Sequence, residues 1–178
     1  MSGMKNLIAI VAAVSISSAC RADDWQISES VDEMSDAITY DIWKFGEAVK
    51  AADYVEYVPR FVVRIVPAGV TESGGMKYKA EPHFQIKADG LRRDYCKVTS
   101  RFDRAPAEES IWATSTDRRG AFAPKPMDFT KRMIAATNLC IRFETTLGEI
   151  RTLRFDVRGL MPVMRDVKAR YVNRMGAK

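Results

Sequence analysis

The chain has 178 residues, with 28 basic against 23 acidic side chains, one histidine and three cysteines, and a formal charge of +5. That length suits one domain able to bury a real core. The modest basic excess gives no footing for nucleic acid as a partner, and a lone His without a nearby Cys pair excludes a zinc site of ordinary construction.

Lys5 precedes an unbroken apolar run from Leu7 to Val14. Small residues succeed it from Ser15 to Ala19, interrupted only by Ile16, and the chain turns polar at Asp23-Asp24. A charged start, a short apolar stretch and small residues before a polar segment are the three parts of a secretory signal peptide. A membrane-spanning helix needs about 20 apolar residues, more than this run supplies. Residues 1–22 therefore read as a signal peptide, and 23–178 as a single periplasmic domain. Two processing routes stay open. Cleavage after Ala22 removes Lys5 and Arg21, which lowers the formal charge from +5 to +3. Alternatively Ser17-Ser18-Ala19-Cys20 acts as a lipobox, and Cys20 becomes a lipid-bearing first residue whose chains add about 0.8 kcal/mol of bilayer anchoring per buried methylene.

Strand-like runs dominate the mature chain. Ile38–Glu47 is rich in aromatic and β-branched residues, and Arg60–Val66 reads as a central strand closed by Pro67 and Ala68-Gly69. Ser73-Gly74-Gly75 marks a hairpin connection into Met76–Ala88, a strand expected to break at Pro82. Asp89-Gly90 is a turn signal before Tyr95–Asp103. Ser110–Ser115 is short and β-like around Trp112, and Leu139–Thr146 pairs naturally with Ile150–Val157 across Leu147-Gly148. Trp25 and Trp112 read as core anchors, because aromatic side chains bury large areas.

Two segments are predicted helices. Asp128–Ala136 opens on an acid and places Phe129, Met133, Ile134 and Ala136 on its apolar side. Leu160–Tyr171 carries Leu160, Val163, Met164, Val167 and Tyr171 in one stripe, with Pro162 tolerated in the first turn. Many strands, an interposed helix, two more strands and a closing helix imply a mainly β fold. The expectation is an antiparallel β-sandwich with one interposed short helix and a C-terminal amphipathic helix.

With Cys20 removed or lipidated, Cys96 and Cys140 remain as a candidate disulfide in a compartment that permits one. Strand parity opposes it. Cys96 shares the apolar side with Val98 and Phe102, whereas Cys140 alternates against Leu139, Ile141 and Phe143, so a bridge requires a bulge or a sheet edge.

No catalytic constellation is visible. His83 lies in an expected strand between Glu81 and Gln85, and no nucleophile elbow or Cys–His pair occurs. Gly74-Gly75 lacks the lysine and hydroxyl of a phosphate loop. Glu108-Glu109 are adjacent and point apart, unlike carboxyls held about 5–9 Å apart across a sugar cleft. Arg92-Arg93-Asp94, Arg101–Asp103–Arg104 and Asp117-Arg118-Arg119 fit alternating charge on outer strand faces. The reading is a protein that is not an enzyme, with no cofactor and no metal. Basic charge concentrates at one end, where Arg165, Lys168, Arg170 and Arg174 lie outside the apolar stripe. They are either a solvated helix face or contacts to an anionic membrane surface or acidic partner.

The run Trp25-Gln26-Ile27-Ser28 with Asp32-Glu33-Met34-Ser35-Asp36 resembles the mature start of the VasI-like accessory proteins of type VI secretion systems. Thr99–Asp103, Trp112–Asp117, Phe122, Phe129 and Phe155–Leu160 resemble the same family's second half. The resemblance implies an exported envelope accessory or adaptor that binds another exported protein or a cell-wall component, with no catalytic residues to carry across. The alternative function is a periplasmic immunity protein or a phage-encoded exclusion inhibitor, a context also compatible with related folds on prophage genes.

Overall fold

The computed structural model describes residues 25–32, 35, 37–50, 56–73, 76–86, 90–91 and 94–176. The expected signal peptide, both of its processing routes, Cys20, the turn residues Gly74, Gly75 and Asp89, and Arg92-Arg93 lie outside the described residues. In chain order the elements are β1 (Gln26–Val31), β2 (Ile38–Phe45), β3 (Val49–Lys50), β4 (Glu56–Tyr57), β5 (Arg60–Val70), β6 (Met76–Gln85), β7 (Tyr95–Phe102), β8 (Glu108–Thr114) and β9 (Gly120–Phe122). Then come α1 (Pro126–Ala135), β10 (Asn138–Glu144), β11 (Ile150–Asp156) and α2 (Leu160–Gly176). Among the described residues no helix is long and apolar enough to cross a membrane.

The protein is mainly β, but its strands do not divide into the two packed sheets of a sandwich. Nine of them form one antiparallel sheet in the order β1-β2-β5-β6-β9-β8-β7-β10-β11, curled into a half-barrel, with β3 and β4 as a separate pair. The curl explains why the sequence reads as a sandwich. Phe84 on β6 stacks on Phe143 of β10 at 4.9 Å, and Phe61 on β5 meets Phe155 of β11 edge-on at 5.4 Å. Those strands are four or more places apart in the sheet, so its two halves face each other and bury the same alternating residues that separate sheets would bury.

The inner face carries Tyr40, Ile42, Phe61, Val63, Ile65, Phe84, Val98, Trp112, Ile141 and Leu153, all essentially inaccessible. The helices close the open side. From α1, Phe129 lies 5.0 Å from Phe102 and 5.2 Å from Trp112, both edge-on, and Met133 is fully buried. Pro126 starts α1 at its first turn, where the missing N–H costs nothing, and Asp128 complements the helix dipole. On α2 the expected stripe is turned inward, with Leu160, Val167 and Tyr171 buried and Val163 and Met164 half-buried.

Pro82 does not break β6. The carbonyl of Pro82 accepts from Ala123 N–H at 2.9 Å, just past the end of β9, while Val63 of β5 lies opposite. In an antiparallel strand the N–H and C=O of one residue point the same way, so the missing donor faces the place where β9 has stopped. The missing N–H costs at most one bond at the end of the β6–β9 ladder, and pairing with β5 is intact.

The two ends of the sheet are stitched together. Trp25, core-buried as expected, donates its indole N–H to the carbonyl of Arg158 at 2.8 Å. Past the end of β2, Glu47 N–H donates to the carbonyl of Arg154 on β11 at 2.9 Å. Gly46 makes that approach feasible, since a Cβ there would stand 2.6 Å from the Phe155 ring and 2.7 Å from the Arg154 carbonyl.

Candidate functional site

The seam between β2 and β11 forms one side of a groove of about 1780 Å³. Its floor is the outer face of β7, β10 and β11. Antiparallel register puts Arg101, Cys140 and Arg154 in one cross-strand row and Thr99, Arg142 and Thr152 in the next. Strands about 4.8 Å apart set Arg101 and Arg154 about 10 Å from each other. Arg142 sits diagonally from both, at the 7–8 Å typical of such neighbours. The opposite wall is made by Lys44, Phe45, Glu47, Tyr57 and Val58.

Charge in the groove is unevenly spent. Asp103 takes the backbone N–H groups of Thr137 at 3.1 Å and Asn138 at 2.8 Å, holding the α1–β10 connection in place. Asp156 accepts from the Arg158 guanidinium at 2.5 and 3.0 Å and from its backbone N–H at 3.0 Å. That hydrogen bonding, aided by the positive charge of Lys44, holds the Asp156 carboxyl below the usual range. Glu47 lies 3.6 Å from Arg154. By contrast, Arg101, Arg104 and Arg142 make no ion pair or side-chain hydrogen bond among the described residues. Lys44 is likewise without an ion pair or hydrogen bond there, although it is only 5% exposed at the end of a strand side otherwise holding Ile38, Tyr40 and Ile42. The result is a groove with three unpaired arginines, a buried lysine whose charge acts on Asp156 and, among the described residues, no carboxylate free to act as acid or base.

The thiols singled out in the sequence sit on opposite faces, as parity indicates, and both are free. This structure does not join them in a disulfide. Cys96 faces the core opposite Trp112, and burial pushes its thiol up to about 11. Cys140 is half-buried on the groove floor between Arg101 and Arg154.

Arg165, Lys168, Arg170 and Arg174 are all exposed on α2, as the apolar stripe requires. Arg170 pairs with Asp166 at 2.8 Å, one turn earlier, and Arg174 pairs with Glu29 of β1. Half of that basic end is thus neutralised within the chain. His83 is 2% exposed, with Nδ1 3.0 Å from the carbonyl of Glu81 and its ring 4.7 Å from that of Phe122. Burial lowers its pKa. Among the described residues no group of three His, Cys, Asp or Glu side chains is placed to hold a metal. Glu108 pairs with Arg132 of α1 at 2.5 Å and Glu109 with Lys97 at 2.9 Å, so the two point apart.

Sequence reasoning missed Lys44 and the role of Arg101, Arg104, Arg142 and Arg154. The signal was present as Arg101, Arg142 and Arg154 at outward positions of three strands and Arg104 in the turn after β7, but only the register shows that no acid stands across the strands from Arg101 and Arg142. No family model, curated protein or solved structure matches the chain.

Proposed function

We propose that this protein is a non-enzymatic binding domain of the cell envelope, exported to the periplasm and serving there as an accessory or adaptor. The observation that carries the reading is the groove on β7–β10–β11, where Arg101, Arg104 and Arg142 are left without ion pairs among the described residues and Lys44 adds a buried charge. Holding like charges together around a concavity costs electrostatic energy, which an anionic ligand relieves. The groove's own carboxylates are occupied by backbone N–H groups or by arginines, so the arrangement suits recognition rather than acid–base chemistry. Resemblance to the VasI-like accessory proteins of type VI secretion systems points to the same compartment and class. A basic groove fits less well with an inhibitor that presents acid to a basic toxin.

The test is co-sedimentation of residues 23–178 with isolated cell envelopes at low and high salt. Arg101→Gln with Arg142→Gln should reduce association and flatten its salt dependence. The α2 pair Arg165→Gln with Lys168→Gln should leave it unchanged. Association that is absent at low salt, or that only the α2 pair disrupts, would retire the groove as the binding site.

A further inference from the structure

We infer that the ligand of this groove is an acidic polysaccharide, a chain of sugar rings carrying carboxylates or phosphates at regular intervals; this rests on the binding-domain reading. Three features select that chemistry. The first is the placement of the arginines: Arg101 and Arg142, without ion pairs among the described residues, and Arg154, shared with Glu47 at 3.6 Å, form a triangle of strand positions with sides of about 7–10 Å set by the sheet itself. A guanidinium is a planar fork that grips carboxylate or phosphate through two parallel hydrogen bonds, so this triangle reads repeated anions rather than one compact one.

The second feature is an aromatic platform on the facing wall. Phe45 is 44% exposed, yet its ring is fixed edge-on against Trp43 at 5.2 Å, and Trp43 is covered by the Arg60 guanidinium at 5.1 Å from the ring centre. An exposed ring held still offers an apolar face to the C–H face of a sugar at small entropic cost. The hydroxyls of Thr99 and Thr152, in the row with Arg142, suit sugar hydroxyls between the charges.

The third feature decides against an acidic peptide. Peptides in grooves on sheets gain affinity mainly by main-chain hydrogen bonds to an open strand edge. Here β7 and β10 are interior strands, and at the seam the Arg154 carbonyl of β11 is already taken by Glu47. The groove floor presents side chains, which suits a polymer whose recognition groups are pendant. Lys44, buried at the seam, adds a fixed charge at the end of the groove.

The experiment is calorimetric titration of residues 23–178 at low salt with three probes: an oligogalacturonate, an uncharged malto-oligosaccharide of equal length, and a polyglutamate of equal charge. The oligogalacturonate is expected to bind at least about tenfold more tightly than either of the others, a difference of about 1.4 kcal/mol. Arg101→Gln with Arg142→Gln should weaken it by about tenfold or more, and Phe45→Ser should weaken it without altering the salt dependence. Arg165→Gln with Lys168→Gln is the control and should have no effect. Absence of oligogalacturonate binding, polyglutamate binding as tight or tighter, or indifference to the groove substitutions would each overturn the inference. If it fails while the groove variants still lose envelope association, the polysaccharide is wrong and the binding-domain reading stands; if both fail, both fall.

Discussion

Gly46→Ala isolates the seam that closes the half-barrel. Gly46 is not in the left-handed region, so alanine meets no backbone penalty there, and the effect is one of space. The added Cβ would stand 2.7 Å from a backbone oxygen and 2.6 Å from a packed phenyl ring, so the two strands must separate by several tenths of an ångström. Overpacking of this kind costs about 1–3 kcal/mol. Separation also weakens the Glu47 N–H to Arg154 carbonyl bond, which contributes about 1 kcal/mol. Against this, alanine restricts the unfolded chain and returns about 0.4–1 kcal/mol. The expected net loss is about 2 kcal/mol, or a fall of about 4–8 °C in Tm for a domain of this size. Urea unfolding of residues 23–178 measures it, with the midpoint falling and the m-value unchanged. A variant within about 0.5 kcal/mol of the parent would show that the contact between β2 and β11 is slack, and the groove wall it supports with it.

Val167→Asp places a carboxylate at a fully buried position on α2 and should cost about 3 kcal/mol or more, since a buried charge without a partner has no compensation; a melting temperature within a degree or two of the parent would mean that α2 is not docked. In native residues 23–178, iodoacetamide should label Cys140 and spare Cys96, which is 3% exposed with its thiol raised to about 11, while both label after denaturation. Mass spectrometry of the adducts checks this, and rapid labelling of both would contradict the core placement of Cys96. His83 has a folded-state pKa below its unfolded value, so the native state holds it neutral and its contribution is present above about pH 6.5. Stability should therefore fall as acid is added below that value, and His83→Gln should remove that part of the slope; an unchanged slope in the variant would assign the loss elsewhere.

Much of the fold was legible because alternation is a local signal. β2, β7, β10 and β11 bury alternate residues, β5 is an apolar run that buries Phe61, Val62 and Val63 in succession, and α2 repeats Leu160, Val163, Met164, Val167 and Tyr171 at helical spacing. β1 was not legible. Its QISESV offers only Ile27 and Val31 as apolar residues, and it is a strand because β2 supplies six paired positions beside it. β9 has three residues and exists only between β6 and β8. The site was harder still. That Arg101 and Arg154 flank Cys140 is a product of two registers, neither of which leaves a trace in local periodicity. The basic end of α2 drew attention because its charges are contiguous in sequence, yet Arg174 finds its counter-ion on β1, 145 positions away.

The latch between Trp25 and Arg158 joins residues 133 positions apart. A core latched between residues 25 and 158 is not complete until nearly the whole chain is present. Strands β1 and β2 leave the ribosome early and wait for β11 before the corner at Gly46 can close. Such non-local topology folds slowly, since chain entropy is lost before the contacts that repay it are made. The local ladders β2–β5–β6 can form earlier, but the latch itself closes only once residue 158 is available. Closure of the core is therefore a late step in folding, timed by the last tenth or so of the chain.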